Sequence, residues 1–343
     1  MSTRLGPAPM ARRPLVSVVI PNYNYGRYLP ATLDSVLAQD GVELEAIIVD
    51  DRSTDGSLEV ARSLARDDDR VVLVEHAQNL RHIATYNDGL ARATGDYVVL
   101  LSADDALAPG SLARSAAVME SRPDVGLVYG HAQEFVDDLP TATGRAETWT
   151  VWDGSEWLDR ICRRGRNIIV NPEAMMRRDL FEELGGYDPT LPHSADMFLW
   201  MRAAARANVG RVNGPAQAYY RQHGDNMHSS VYGGLLDDFT EVRRTFDLFF
   251  EADGGRLSDP DRLAGRARRA LAREALLRST TLSGPEAAGH RQALIDFAVE
   301  TTGSRPVHRL YRIDPPSGLE AGFKFADSVR WRIRYRRHRR FGT

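Results

Sequence analysis

Two stretches place paired carboxylates directly behind apolar runs: "IIVDDRSTDGS" (47–57) with Asp50 and Asp51, and "VVLLSADDAL" (98–107) with Asp104 and Asp105. A buried strand needs only its apolar residues, and Gly or Asn would serve the turn that follows. Acids recurring at two strand ends therefore point to work beyond packing. Adjacent carboxylates suit a divalent cation shared with an anionic ligand, acceptance of a polar N–H, or proton transfer. Asp55 is more simply a turn or N-cap residue ahead of the helix that follows it. A third acid, Asp196 in "ADMFLWMR" (195–202), opens a helical segment that its position lets it cap. His223 in "YRQHGDN" (220–226) has three readings: an ion ligand, a donor to a phosphate, or a loop histidine without a role.

The elements that must position these residues alternate in type. "LVSVVI", "LEAIIVD", "RVVLVEH" and "DYVVLL" read as strands. The segments between them repeat apolar residues at helical spacing, as Leu29, Leu33, Val36 and Leu37 do. Strands alternating with helices and joined by short connections predict an α/β domain around a largely parallel sheet. In such sheets ligands bind outside the carboxyl ends of the strands, where both acid pairs fall. Helix "PGSLARSAAVMES", strand "VGLVYGHA", a polar linker near 137–150 and a helix around "SEWLDRIC" follow, and a strand-helix-strand rhythm returns from 167 to about 226. The expected division is a flexible N-terminus (1–14), an α/β domain (15–229), split into 15–105 and 106–229, and a helical region (230–343) with a basic tail (323–343). Within the last, "DRLAGRARRALAREALL" and "PEAAGHRQALIDFAVETTG" read as helices, the second opened by Pro285.

Composition narrows the function classes. The chain has 343 residues, 43% of them hydrophobic, and a net charge of −3, so it can bury a full core and lacks the broad basic surface of a nucleic-acid binder. Cys162 is the single cysteine, which rules out an internal disulfide or thiolate metal cluster and fits a reducing compartment. No apolar stretch approaches a membrane span or a secretory h-region, so cytoplasmic placement is expected. No G-x-G-x-x-G, G-x-x-x-x-G-K-[ST], H-E-x-x-H or G-x-S-x-G motif occurs where dinucleotide, P-loop, zincin or serine-hydrolase chemistry would need it.

The ordered motifs "VSVVIPNYN" (17–24), "IIVDDRSTDGS" (47–57), "NDGLARATGDYVVLLSADD" (87–105), "GGYD" (185–188), "ADMFLWMR" (195–202) and "YRQHGDN" (220–226) resemble the nucleotide-sugar glycosyltransferases of family 2. The resemblance covers about two-thirds of the chain. It implies a GT-A fold, a Rossmann-like mixed, mostly parallel sheet flanked by helices, with the helical C-terminal appendage added. It also implies roles. Asp51 would accept the N–H of a uracil or similar base, with Pro21 and Tyr23 lining base and ribose. Ser102 would contact ribose, and Asp104 would bind Mg²⁺ or Mn²⁺ with His223 as second ligand. Arg221 would meet the diphosphate, and Asp196 would deprotonate the acceptor. Four positions depart from the pattern: Ser102, Ala195 and Phe198 stand where the family usually carries acids, and Arg81 where it often carries Gly.

The reaction so implied is inverting transfer of a sugar from a nucleotide-diphosphate donor, UDP-sugar favoured, to a hydroxyl of a glycan, a lipid-linked acceptor or a small molecule. The alternative is a nucleotide-sugar-binding or scaffold protein of the same fold with impaired catalysis. Separately, the tail interleaves Lys324, Arg330, Arg332, Arg334, Arg336, Arg337, Arg339 and Arg340 with Phe323, Phe325, Trp331, Ile333, Tyr335 and Phe341. That pattern suits either peripheral contact with the anionic inner face of a cell membrane or a solvated or subunit-packing tail.

Overall fold

The computed structural model of the chain describes residues 2–141, 147–169, 172–224, 234–282 and 287–303. A short strand, β1 (Thr3–Leu5), precedes the expected alternation of β2 (Leu15–Asn22), α1 (Leu29–Leu37), β3 (Glu43–Asp50), α2 (Ser57–Asp67), β4 (Val71–Glu75), α3 (His82–Leu90) and β5 (Tyr97–Leu100). Then come β6 (Ala106–Leu107), α4 (Ser111–Ser121), β7 (Val125–Tyr129), β8 (Ala132–Phe135), β9 (Thr148–Trp152), α5 (Gly154–Arg164), β10 (Met175–Arg177), α6 (Arg178–Leu184), α7 (Ala195–Ala204), β11 (Asn208–Asn213) and β12 (Ala218–Arg221). Three long helices follow, α8 (Leu235–Asp253), α9 (Pro260–Ser279) and α10 (Ala287–Thr302).

Tertiary contacts divide the chain into two units, Met1–Glu156 with Ile169–Asn226, and Trp157–Ile168 with Met227–Thr343. The first holds the α/β architecture. Its nine-stranded sheet runs β1-β9-β11-β7-β10-β5-β2-β3-β4, and a three-stranded sheet runs β6-β12-β8. Strand β2 lies between β5 and β3, parallel to both, and β3 continues parallel to β4. Its residues Val16, Val18 and Ile20 face a core shared with Leu29, Leu33 and Val36 of α1. On the other face, a Cβ at Gly89 of α3 would lie 2.4 Å from Val19 and 2.8 Å from Val49. Only glycine lets α3 approach so closely. Covered on both faces, β2 reads as a continuous apolar run, as a parallel central strand should.

The sheet is evenly mixed rather than mostly parallel. Strand β10 inserts antiparallel between β5 and β7, and β9 pairs antiparallel with both β11 and β1. The region expected as a polar linker near 137–150 ends in strand β9. Its Trp149 and Val151 pack into the core while Thr148 and Thr150 hydrogen-bond Asn213 and keep the polar look of the stretch. The N-terminal segment expected to be flexible contributes β1 to the same edge, with Thr3 opposite Val151.

The second unit is helical. Phe239 of α8, Leu271, Ala275 and Leu276 of α9, and Leu294, Ile295, Phe297 and Ala298 of α10 form its core. The sequence places one boundary at 229/230. The chain crosses between units at 156/157, 168/169 and 226/227, so α5 straddles a crossing. Its Asp159 forms ion pairs with Arg262 and Arg266 of α9. A cleft of about 540 Å³ in this unit, lined by Phe250, Gly254, Pro260 and Arg268 among others, contains none of the acids singled out above.

Candidate active site

Because successive strand residues point to opposite sides, Asp50 and Asp51 at the tip of β3 do different things. Asp50 closes its own turn: its Oδ1 accepts from Ser53 N at 3.0 Å, and its Oδ2 from Ser53 Oγ at 2.6 Å and Asn22 Nδ2 at 2.8 Å. Asp51, 3% exposed, turns towards the start of α3. Its Oδ1 accepts from Leu80 N at 2.7 Å and lies 2.8 Å from His76 Nδ1, and its Oδ2 accepts from Arg81 N at 2.9 Å. Asn79 Nδ2 donates to the Asp51 carbonyl at 3.1 Å. Arg81 takes φ 68°, which explains the glycine expected at its place, and Arg52 takes φ 63°. Both side chains are exposed.

At the β5 tip the small sheet does the positioning. Ala106 and Leu107 of β6 pair with Tyr219 and Ala218 of β12, so the next residues of the late segment meet the acids of the earlier one. His223 Nε2 lies 2.9 Å from Asp104 Oδ2. Arg221 donates its backbone N–H to Asp105 Oδ1 and its Nε to the Asp104 carbonyl, both at 2.9 Å. Its guanidinium sits between two rings, 4.7 Å from the Tyr28 centroid and 4.4 Å from that of Phe135. Arg221 is thus buried against the acid loop it braces. Asp105 does not cap the next helix: α4 begins at Ser111 behind Gly110, which has φ 70°. Instead Asp105 is buried, and burial with the neighbouring charge of Asp104 pushes its carboxyl well above the ordinary carboxylate range.

The two acidic tips are joined through the loop after β2. Pro21 lies in β2 opposite Val49, and Tyr23 behind it is 46% exposed. Asn24 Oδ1 accepts from Thr54 N at 2.7 Å, while the rings of Tyr25 and Tyr28 lie 5.6 and 5.2 Å from that of His223. Thr32 Oγ1 is 2.7 Å from the carbonyls of both Ala103 and Asp105. Ser102, half-buried, accepts at its carbonyl from Asp105 N.

Asp196 arrives by another route. It lies in the first turn of α7 behind the cap residue Ser194, and its Oδ1 accepts from Met197 N at 2.6 Å. The loop before it is stitched to α3: Asn87 bonds both the N–H and the carbonyl of Tyr187 at 2.8 Å, and His82 Nε2 lies 2.9 Å from the Pro192 carbonyl. One helix therefore carries the amides that meet Asp51 at its start and anchors the loop leading to Asp196. Ala195 and Phe198, standing where the resemblance expects acids, are buried in α7.

The sequence profile of Glycosyl transferase family 2 matches residues 17–185, a span that includes both acidic tips and ends before Asp196 and His223. An uncharacterised glycosyltransferase of Nostoc sp. is 31% identical over 223 residues, 63% of this chain and 67% of that protein. The chain belongs to glycosyl transferase family 2. A PGL/p-HBAD biosynthesis glycosyltransferase of Mycobacterium bovis is 32% identical over 176 residues, 51% of this chain and 64% of its own. Among solved structures, S. aureus TarS 1–349 in complex with UDP-GlcNAc superposes with a TM-score of 0.59 at 18% identity, over 84% of this chain and 90% of that one. The mannosyltransferase PcManGT from Pyrobaculum calidifontis, in complex with GDP-Man and Mn²⁺, gives 0.51 at 21% over 95% and 89%. The glycosyltransferase therefore has the GT-A fold.

Sequence reasoning missed His76 and Asp88, which adjoin Asp51. His76 Nε2 lies 3.0 Å from Asp88 Oδ2. The signal was present: "RVVLVEH" ends in a histidine at the same carboxyl edge as the acids. The basic tail, 323–343, lies outside the described residues. Among the described residues no helix is long and apolar enough to cross a membrane.

Proposed function

We propose that this glycosyltransferase moves a sugar from a nucleoside-diphosphate donor, with a UDP-sugar favoured, to an acceptor hydroxyl in one inverting displacement. The observation that carries the reading is the convergence of Asp51 and Asp104 at one rim of the sheet. Asp51 Oδ2 accepts only the Arg81 N–H among the described residues, which leaves it an acceptor site for a base imide. Pro21, at the end of β2, and the exposed Tyr23 behind it would line the base and ribose. TarS is described with UDP-GlcNAc and PcManGT with GDP-Man on the same fold, which supports a donor of this class.

The residues present fit a divalent ion at Asp104. A carboxylate oxygen and an imidazole nitrogen 2.9 Å apart suit Mn²⁺, which accepts mixed ligands, better than Mg²⁺, which prefers oxygen. Among the described residues no group of three His, Cys, Asp or Glu is placed to hold an ion, so donor phosphate oxygens and water would have to supply the remaining ligands. When bound, the ion neutralises charge on the departing diphosphate. Arg221 holds Asp104 and Asp105 in place from behind, and Ser102 faces the ribose. Asp196 takes the proton of the attacking hydroxyl, and the bond from the anomeric carbon to the diphosphate breaks as the new glycosidic bond forms.

Replacing Asp196 by Asn should lower kcat by roughly 10²–10⁴-fold, the usual worth of a positioned base, while donor Kd stays within about twofold because Asp196 does not meet the donor's nucleotide. Calorimetry and single-turnover transfer measure the two; brisk turnover by the variant removes Asp196 from the role. For the tail, we propose peripheral contact with an anionic membrane. Vesicle flotation with and without residues 323–343 tests it, and equal binding by the two chains contradicts it.

A further inference from the structure

Behind the base-accepting carboxylate runs a line of alternating charges: Asp51, His76, Asp88 and Arg92. Both ring nitrogens of His76 face carboxylates, Nδ1 at 2.8 Å from Asp51 and Nε2 at 3.0 Å from Asp88, and the side chain is only 7% exposed. A neutral imidazole has one N–H and one lone pair, so it can satisfy one of these carboxylates and must aim its lone pair at the other. Only the doubly protonated ring bonds both. Asp88 is held in turn by Arg92, one helical turn on, which bonds its carboxylate and, at 2.8 Å, its carbonyl.

We propose that His76 is a positioning residue that, as an imidazolium shared with Asp88, fixes the orientation and the charge of Asp51 for recognition of the donor's base. The inference rests on the reading of Asp51 as the base acceptor. With Oδ1 committed to His76 and Leu80, the open acceptor site is confined to Oδ2, so a single hydrogen-bond geometry is offered to an imide N–H. Burial works against the charged ring, but the bonds to Asp51 and Asp88 outweigh it and hold His76 above its ordinary value. Burial likewise opposes the charge on Asp88, and its bonds to Arg92 and His76 prevail. The other charged neighbours are the Glu75–Arg62 ion pair beside His76 in sequence and the exposed Arg52 and Arg81 flanking Asp51; the Asp50 carbonyl accepts the His76 backbone N–H. None of these replaces either ring contact.

The sign of the pH dependence follows. The folded protein holds the His76 proton more tightly than a free histidine would, so the bridge stands below the raised value and is lost as pH rises through it. Nucleotide affinity should fall over the same range. The test is calorimetric titration of UDP and GDP with Mn²⁺ from pH 6 to 9.5, on wild type, His76→Gln, Asp88→Asn and Asp51→Asn, with ¹⁵N spectra of the histidine rings. Wild type should show a ring with both nitrogens protonated at pH 6 that vanishes in His76→Gln. His76→Gln should bind about 10-fold more weakly, the order expected for losing a charge-assisted bond, with the alkaline fall abolished and KM rather than kcat affected. Asp88→Asn should keep binding at pH 6 and move the fall to lower pH, a shift that simple loss of stability would not produce. If Asp51→Asn loses binding while His76→Gln matches wild type at every pH, the inference fails and the donor reading stands. If wild type binds neither nucleotide, both fail.

Discussion

The tips of β3 and β5 present the same pair of acids and treat them in opposite ways. At β3 the outer acid, Asp51, is surrounded by donors from its own chain, two amides and His76, and has room for one more neutral N–H. At β5 the outer acid, Asp104, has among the described residues one partner at its carboxylate, the His223 imidazole, and the acid behind it is buried. A carboxylate already supplied with donors selects a hydrogen-bonding ligand. One with a single ring nitrogen at its carboxylate keeps oxygen lone pairs for a cation. The difference teaches that a repeated Asp-Asp motif does not imply a repeated task; the partners that the fold brings to each pair divide the work.

The largest way to break this contrast is Asp104→Ala, which should cost roughly 10²–10³-fold in kcat by removing stabilisation of the leaving diphosphate and should abolish the gain from added Mn²⁺ in steady-state assays. Asp51→Asn comes next. Its amide can still accept one bond but presents an NH₂ to the amides or the base, so kcat/KM for the donor should fall roughly 10–100-fold through KM. Smaller and remote is Gly89→Ala, whose Cβ would press on Val19 and Val49. Displacing α3 should lower stability by about 1–3 kcal/mol in denaturant titration and weaken nucleotide binding, because the amides of Leu80 and Arg81 move with the helix.

How much of this was readable from the chain depends on the range of the interaction. Strands β2 to β5 and the helices between them follow from local pattern, since Val16 to Ile20 form an almost unbroken apolar run and Leu29, Leu33 and Val36 recur at helical spacing. Asp51 and Asp104 stand out because an acid beside an apolar run is a local anomaly, whereas Asp196 is marked by the resemblance of "ADMFLWMR" to the family motif. The β6-β12 pairing that carries His223 to Asp104 spans more than a hundred positions and has no local signature. The same holds for Arg221, whose charge suggests phosphate but whose guanidinium lies between Tyr28 and Phe135. Strand β9 escaped notice because Thr148 and Thr150 face Asn213 and dilute the apolar pattern. His76 escaped because a histidine at a strand end gains meaning only when Asp51 and Asp88 arrive on either side.

The smallest effect concerns the buried acid. Because the folded state raises the value of Asp105, it binds that proton more tightly than the unfolded chain does, so this group stabilises the fold at low pH and the benefit is lost as pH rises. Asp105→Asn, which still accepts from Arg221 N, should therefore melt higher than wild type near pH 8, with the advantage shrinking towards pH 5, as differential scanning fluorimetry would read.

The division of labour between the two tips is tested most directly by titrating UDP and GDP into wild type, Asp51→Asn and Asp104→Ala, each with and without Mn²⁺. Asp51→Asn should lose affinity under both conditions, whereas Asp104→Ala should match wild type without the ion and lose only the increment that Mn²⁺ adds. Equal losses by the two variants, or a wild type whose affinity ignores Mn²⁺, would contradict it.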